Sequence, residues 1–342
     1  MVAQDSSEAW AGAAAVALVV AGIVGVAWWL ARPHSTYTPP RGVHGVPARS
    51  GTLPASDPPG PATEITGVPY GDDPAQLLDL YRPPGVSGRL PVVVYFHSGG
   101  WVGGTRAEVP AFLLREVSRL HVELASVDYR ITADGRNLFP AAPQDADRAI
   151  RWLKANAAGL AIDPKRFVLA GTSAGGHLAA LDAAAPGEFV APHLPPSLAA
   201  QDPRVIGVID AVGPSNLARL GTTGGSLGAT LETQFLGCAV PKPATCNPMM
   251  VIDASVVAHL TPAAPPAFLV YGTKDTLVRP SAQGRPLAAA WAAARGDAAR
   301  EPSGQWGVWY EEAHDGHNIS QSSIDMNALE SWLSAVLQGR LR

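Results

Sequence analysis

From Glu64 onward, short apolar runs of strand length alternate with segments in which apolar residues recur at helical spacing. Leu90 to Phe96 is a continuous apolar run, typical of a strand in a sheet that is buried on both faces. Asp145 to Asn156 carries the apolar spacing of an amphipathic helix. Strict alternation favours parallel strands joined by right-handed crossovers, so we expect a doubly wound, mostly parallel α/β domain over residues 64–342.

The other predicted elements follow the same alternation. Strands are predicted at Ile65 to Tyr70, Leu77 to Tyr81, Val122 to Tyr129, Phe167 to Thr172, Val205 to Val212, Ala267 to Tyr271 and Val308 to Glu311, and helices at Val109 to Leu120, Ala174 to Ala185, Ser281 to Ala294 and Ser323 to Leu337. Turn residues between the first two strands predict a hairpin. A long connection, Gly213 to Thr261, interrupts the alternation.

The N-terminal part has a different pattern. Residues 1–8 form a short tail, and Ala9 to Ala31 contains no charged residue. That stretch is long enough to cross the hydrocarbon core of a bilayer as a helix, and tryptophans lie near both of its ends. The alternative is a cleaved signal peptide, which the acidic tail without Lys or Arg disfavours. We therefore expect a membrane anchor at 9–31, followed by a Pro/Gly-rich linker at 32–63.

Two observations disagree about the side of the membrane. Arg32, Arg41 and Arg49 follow the span, and the positive-inside rule would then place the domain in the cytoplasm. The only two cysteines, Cys238 and Cys246, are close enough in sequence to form a bridge, which belongs in an oxidising compartment. Two reduced thiols remain the alternative. The cysteine spacing favours an extracytoplasmic, membrane-tethered domain.

Composition excludes several classes of partner. The net charge is −4 and no run of Lys or Arg occurs, which argues against nucleic acid. Phosphate-binding and dinucleotide-binding glycine motifs are missing, so no cofactor is expected. His97 and His177 have no recognisable ligand cluster around them in sequence, so no metal is expected.

A Gly-x-Ser-x-Gly motif, Gly171 to Gly175, follows the apolar strand Phe167 to Thr172. Glycines on both sides of a serine allow a strand to turn sharply into a helix, which exposes the serine at the carboxyl end of the strand. Such a motif also occurs by chance in a chain rich in Gly, Ser and Ala. The interpretation of Ser173 as a nucleophile therefore depends on an oxyanion loop before it and an acid and a histidine after it.

Those partners are present in the required order. Gly99 and Gly100 follow the Leu90 to Phe96 strand, and their amides, with that of Ala174, are predicted to form an oxyanion hole.

Asp275 lies just beyond a late strand and is the predicted acid; Asp210 is the alternative, but it lies inside a strand. His317 is favoured over His314 as the base, because Asp315-Gly316 can form a tight turn that directs His317 toward the sheet. Serine, acid and histidine then follow in the order of an α/β-hydrolase.

From Ile65 to Leu337 the sequence resembles the α/β-hydrolase superfamily, specifically esterases of the hormone-sensitive-lipase and bacterial feruloyl-esterase-like groups. The similar segments are His97-Ser98-Gly99-Gly100-Trp101 (H-G-G-G-W), Asp128-Tyr129-Arg130 (D-Y-R), Phe139-Pro140-Ala141-Ala142 (F-P-A-A), Gly171 to His177 (G-x-S-A-G-G-H), Tyr271 to Val278 (the acid loop) and Gly316-His317-Asn318 (G-H-x). Ser98 departs from the first loop glycine, and Thr172 stands where the lipase-like branch often has Asp.

The resemblance implies a serine hydrolase that cleaves small carboxylic esters through an acyl-enzyme, with a lid drawn from Gly213 to Thr261. An amide hydrolase of the arylformamidase or peptidase type is the alternative within enzymes. A non-catalytic, membrane-tethered binding module on the same fold is the alternative outside them.

Overall fold

The structure of the chain, a computed structural model, describes residues 63–239, 246–296 and 307–341. The predicted tail, the predicted membrane span at 9–31 and the linker up to residue 62 lie outside the described residues. Among the residues that are described, no helix is long and apolar enough to cross a membrane.

The described strands form a single mixed sheet. They are β1 Thr63–Pro69, β2 Leu77–Arg82, β3 Leu90–Phe96, β4 Glu123–Val127, β5 Ile162–Thr172, β6 Gly207–Ala211, β7 Ala267–Gly272 and β8 Val308–Ala313. Within the described ranges these eight strands lie in the order β1-β2-β4-β3-β5-β6-β7-β8. β2 is antiparallel to β1 and to β4, while all other neighbours are parallel. The prediction of a mostly parallel sheet with an initial hairpin is confirmed.

Helices connect the strands and fill the long insertion. They are α1 Ala111–Arg119, α2 Ala141–Ala155, α3 Ala174–Ala184, α4 Pro196–Ala199, α5 Leu217–Thr223, α6 Gly225–Leu236, α7 Pro248–Asp253, α8 Gly284–Arg295 and α9 Met326–Leu337, with short 3₁₀ helices at Val256–Ala258 and Gln321–Ser323. The connection between residues 213 and 261 is thus helical, in α5, α6 and α7.

Two predicted elements, α2 and β5, begin four residues or more before the predicted residue. α2 starts at Ala141 rather than Asp145, because Pro143 falls in the first turn, where a missing N–H costs no helical hydrogen bond. β5 starts at Ile162, which pairs with Leu90 at the start of β3. β5 ends at Thr172, directly before Ser173, as predicted, and α2 ends one residue before the predicted Asn156.

The core is built around β3, whose seven residues are all buried. Val93 and Tyr95 belong to one apolar cluster with Phe112 of α1 and with Leu329 and Trp332 of α9. The alternate residues of a strand point to the opposite face of the sheet, where α3 contacts β3, β5 and β6. Helices on both faces leave the carboxyl ends of the parallel strands as the edge available for a site.

Candidate active site

Ser173 lies at a sharp turn between β5 and α3. Its backbone has φ 55° and ψ −118°, and its amide donates a hydrogen bond of 2.8 Å to the carbonyl of Ala211. The flanking glycines are required by space, because a Cβ at Gly171 would lie 2.0 Å from the carbonyl oxygen of Gly175, and one at Gly175 would lie 1.9 Å from that of Phe96. The turn therefore has the geometry of a nucleophile elbow.

Ser173, His317 and Asp275 form one chain of hydrogen bonds. The Oγ of Ser173 is 2.8 Å from Nε2 of His317, and Nδ1 of His317 is 2.7 Å from Oδ2 of Asp275. Because Nδ1 faces a carboxylate, it carries the ring proton, and the unprotonated Nε2 accepts from the serine hydroxyl. The Asp275 side chain is fully buried, while that of His317 is 26% exposed. Nε2 of His317 can therefore take the hydroxyl proton of Ser173.

The backbone that follows Asp275 fixes the orientation of its carboxylate. Its Oδ1 accepts hydrogen bonds of 2.8 Å from the amides of both Leu277 and Val278. Oδ2 is then directed to His317. A carboxylate held in this way keeps one tautomer of the histidine and stabilises its charged form.

The loops that carry the acid and the histidine are joined by backbone contacts. The amide of Lys274 donates to the carbonyl of Asp315 at 2.8 Å. A Cβ at Gly272 would lie 2.1 Å from the carbonyl oxygen of Gly316, so only glycine permits this approach. The carboxylate of Asp315 accepts from both the amide and the hydroxyl of Ser320, at 2.8 Å each. These contacts hold the histidine loop against the end of β7.

The two alternative residues lie elsewhere. Asp210 is buried in β6, where its carboxylate accepts hydrogen bonds from the amide of Gly213 at 2.8 Å and from the hydroxyl of Tyr271 at 3.0 Å. Burial raises the pKa of Asp210 to about 7. His314 is exposed. Within the described ranges, neither residue makes a hydrogen bond to Ser173.

The three predicted oxyanion residues lie just after the carboxyl ends of β3 and β5. Gly99, Gly100 and Trp101 have φ values of 114°, 60° and 62°, so the loop turns through three consecutive left-handed residues. A Cβ at Gly99 would lie 2.1 Å from the carbonyl oxygen of Gly103. Ala174 is the first residue of α3, where helical amides have no partner within the helix. The amides of Gly99, Gly100 and Ala174 have no acceptor among the residues that the structure describes.

His97 holds the start of this loop. Its ring stacks on Tyr129 with centroids 4.2 Å apart, and the Tyr129 hydroxyl donates to the His97 carbonyl at 3.0 Å. Nδ1 of His97 donates to the carbonyl of Ser98 at 2.7 Å. Burial lowers the pKa of His97, so the ring is neutral. The loop is anchored through the Ser98 carbonyl, which any residue at that position would supply.

Sequence reasoning missed the aromatic support behind the loop. Trp101 stacks on Phe235 of α6 with centroids 4.3 Å apart and donates from Nε1 to Nδ1 of His177 at 3.2 Å. His177 in turn donates from Nε2 to the carbonyl of Ala254 at 2.8 Å. Burial lowers the pKa of His177 to about 4, which keeps it neutral. Trp101 and His177 both lie in recognised motifs, but nothing in the sequence links them to Phe235.

A disulfide joins Cys238, two residues after the end of α6, to Cys246, two residues before the start of α7. Within the described part of the chain, no group of three or more His, Cys, Asp or Glu side chains is placed to hold a metal ion.

The sheet and the Ser173–His317–Asp275 arrangement at its carboxyl edge define the α/β-hydrolase class. The structure is similar to a truncated carbohydrate esterase from gut microbiota, with a TM-score of 0.66 and 20% identity over 82% of this chain and 99% of that one. It is also similar to esterase Est2 of Thermogutta terrifontis, with a TM-score of 0.60 and 23% identity over 82% of this chain and 96% of that one. At these identities the likeness concerns the fold.

The chain belongs to the BD-FAE family, whose model matches residues 78–290. Among its relatives in Mycobacterium tuberculosis, the probable carboxylic ester hydrolase LipM is 30% identical over 62% of this chain and 48% of its own length. Esterase LipQ is 32% identical over 71% of this chain and 57% of its own length. The carboxylesterase NlhH is 42% identical over 30% of this chain and 31% of its own length. The chain spans about half the length of the curated relatives it matches, or less.

Proposed function

We propose that this protein is a serine hydrolase that cleaves carboxylic esters of small acyl groups by acyl transfer to water. The observation that carries the proposal is the hydrogen-bonded chain from Asp275 through His317 to Ser173. Membership of the BD-FAE family and the esterase names of its relatives support the same reaction.

In the first half of the reaction, Oγ of Ser173 attacks the ester carbonyl carbon while Nε2 of His317 takes the hydroxyl proton. The tetrahedral intermediate collapses by breaking the bond to the alcohol oxygen, which receives that proton from His317. In the second half, water attacks the acyl-serine and gives a proton to His317. Collapse then releases the carboxylic acid and returns the proton to Ser173. Asp275 stabilises the charged imidazole in both halves.

The negative charge that develops on the carbonyl oxygen needs fixed donors. Gly99, Gly100 and Ala174 follow the carboxyl ends of the parallel strands β3 and β5, at the same edge of the sheet as Ser173. Removing one such donor costs about 3 kcal/mol of barrier in comparable enzymes. Backbone donors of this kind need no reorganisation when the charge forms.

Ser173→Ala tests the proposal. We expect kcat for p-nitrophenyl acetate to fall by a factor on the order of 10⁶, because the nucleophile is lost while the fold is kept. Activity of more than a few per cent of wild type in a clean preparation would contradict the proposal. Matched ester and anilide substrates distinguish ester from amide hydrolysis, and we expect the ester to be cleaved much faster.

We further propose that residues 9–31 anchor the protein in a membrane, with the hydrolase domain on the extracytoplasmic side. The uncharged, tryptophan-flanked sequence supports the anchor, and the Cys238–Cys246 disulfide supports an oxidising compartment. The full chain should stay with membranes during alkaline carbonate extraction, whereas a variant lacking 9–31 should not. Protease added to intact spheroplasts should digest the domain; protection until the membrane is opened would contradict the assigned side.

A further inference from the structure

Helix α6 extends from the acid loop to the oxyanion loop. At its start, a Cβ at Gly224 would lie 2.7 Å from the carbonyl oxygen of Leu277, two residues after Asp275. Near its end, Phe235 stacks on Trp101. The helix therefore lies beside the edge of the sheet where Ser173 is located.

Leu231 is the residue of α6 that faces the oxyanion loop. A Cβ built on Gly100 would lie 2.6 Å from Cδ2 and 3.1 Å from Cδ1 of Leu231. Gly228 and Phe235, one turn before and after it, are both buried, so Leu231 is on the inward side of the helix. Both methyl groups of Leu231 thus stand directly over Gly100.

This position limits what an ester can place near its carbonyl. During the reaction the carbonyl oxygen must come within about 3 Å of the oxyanion amides. The leaving oxygen must lie near Nε2 of His317, which protonates it. Leu231 lies against Gly100 of the loop that holds the carbonyl oxygen. The alcohol is directed to His317, so the acyl chain is the substituent left to extend toward Leu231.

We propose that Leu231 is a specificity-determining residue that restricts the enzyme to esters of short acyl chains. The inference rests on the proposed hydrolysis of esters of small acyl groups and assigns the residue that limits the length of the acyl chain. Leu231 acts through its side chain, which lies against Gly100 of the oxyanion loop, and takes no part in proton transfer.

The test is an acyl-length series of p-nitrophenyl acetate, butyrate, hexanoate and octanoate. Wild type should favour the short esters. Leu231→Ala should raise kcat/KM for octanoate relative to acetate by about tenfold or more, since the removed atoms leave room for several methylene groups. Leu231→Phe, which enlarges the side chain, should lower kcat/KM for butyrate relative to that for acetate. Leu227→Ala is the matched control, because Leu227 lies one turn earlier on α6 and is 56% exposed.

Reaction with a fluorophosphonate at the wild-type rate shows that Leu231→Ala has an intact site. If its ratio of kcat/KM for octanoate to that for acetate then equals the ratio for Leu227→Ala, the inference is overturned. Leu231→Val, a smaller change, replaces Leu231→Ala if that variant does not fold, and should shift the ratio in the same direction. Failure of the proposed function is recognised separately, because the wild type would then hydrolyse no ester of the series. That result would overturn both proposals.

Discussion

His314 and His317 are close in sequence but have different surroundings. Nε2 of His317 is 2.8 Å from Oγ of Ser173, whereas His314 is exposed. Asp315, between them, is held to the acid loop by its carbonyl, which accepts from Lys274. That contact fixes the turn so that the residue after Gly316 is directed to the serine.

The two histidines provide a matched pair of variants. His317→Ala should reduce kcat for p-nitrophenyl acetate by a factor on the order of 10⁶, because serine is unreactive without its base and the members of a triad act as a unit. His314→Ala, the same substitution in the same loop, should retain activity within about twofold of wild type. Steady-state kinetics on both variants decides the assignment, and a large loss in His314→Ala with an active His317→Ala would reverse it.

Helix α6 buries a carboxyl group that the proposed reaction does not use. Glu232 is fully buried beside α5, and a Cβ at Gly221 would lie 1.9 Å from its Oε2. Neither carboxyl oxygen makes a hydrogen bond of good geometry with the described residues, although the backbone of Gly221 lies close enough to favour the charged form in part. Burial raises the pKa of Glu232 from its ordinary value of 4.5 to about 7. The folded protein therefore holds this proton more tightly than the unfolded chain does.

Glu232→Gln should stabilise the protein above neutral pH. Below about pH 4.5 the carboxyl is protonated in both the folded and the unfolded state, so its titration does not lower the free energy of unfolding. Between pH 4.5 and about 7 the carboxyl ionises in the unfolded state but stays protonated in the folded state, so the free energy of unfolding of the wild type falls as pH rises. Above about pH 7 this loss of stability is complete and stays constant. In urea denaturation, the free energy of unfolding of the variant relative to that of the wild type should be higher at pH 8 than at pH 5 by roughly 1–2 kcal/mol. A difference independent of pH would contradict the role of this carboxyl.

Some elements were predictable from sequence and others were not, for physical reasons. β3 and the last part of β5, from Phe167 to Ala170, are apolar runs that end in glycine motifs, so both the strands and the site at their ends could be located. α6 could not, because Gly228 and Glu232 lie on its buried face and interrupt any apolar stripe. Its packing on Trp101 depends on tertiary structure that spacing does not encode.

The disulfide acts on the molecule as a whole through the unfolded chain. Cys238 and Cys246 close a short loop between α6 and α7. In the chain-entropy account, a loop of this length contributes about 2–3 kcal/mol to the free energy of unfolding. The bond therefore stabilises the folded state as a whole, which includes the insertion that carries Leu231 and Phe235.

A double variant, Cys238→Ser with Cys246→Ser, should unfold at lower urea concentration, with a loss of about 2–3 kcal/mol. Reductant should lower the midpoint of the wild type and leave that of the double variant unchanged. Equal midpoints for wild type and variant without reductant would show that the bond adds nothing to stability.

The site is assembled by the topology of the whole sheet. β3, β5 and β7 are joined through parallel neighbours, so their carboxyl ends meet at one edge. The oxyanion loop, Ser173 and Asp275 each follow one of these ends, which is why motif order along the chain predicted the positions of the residues. Acyl preference depends on the insertion that packs beside this edge, and neither motif order nor strand pattern determines it.

The most direct test of the central claim is to identify the residue that becomes covalently modified. The protein is incubated with a fluorophosphonate, digested, and its peptides are analysed by mass spectrometry. We expect one adduct per chain, on Ser173, and none on Ser173→Ala. Wild-type protein that hydrolyses esters while its adduct lies on another residue, or while Ser173 stays unmodified, would contradict the assignment of Ser173 as the nucleophile.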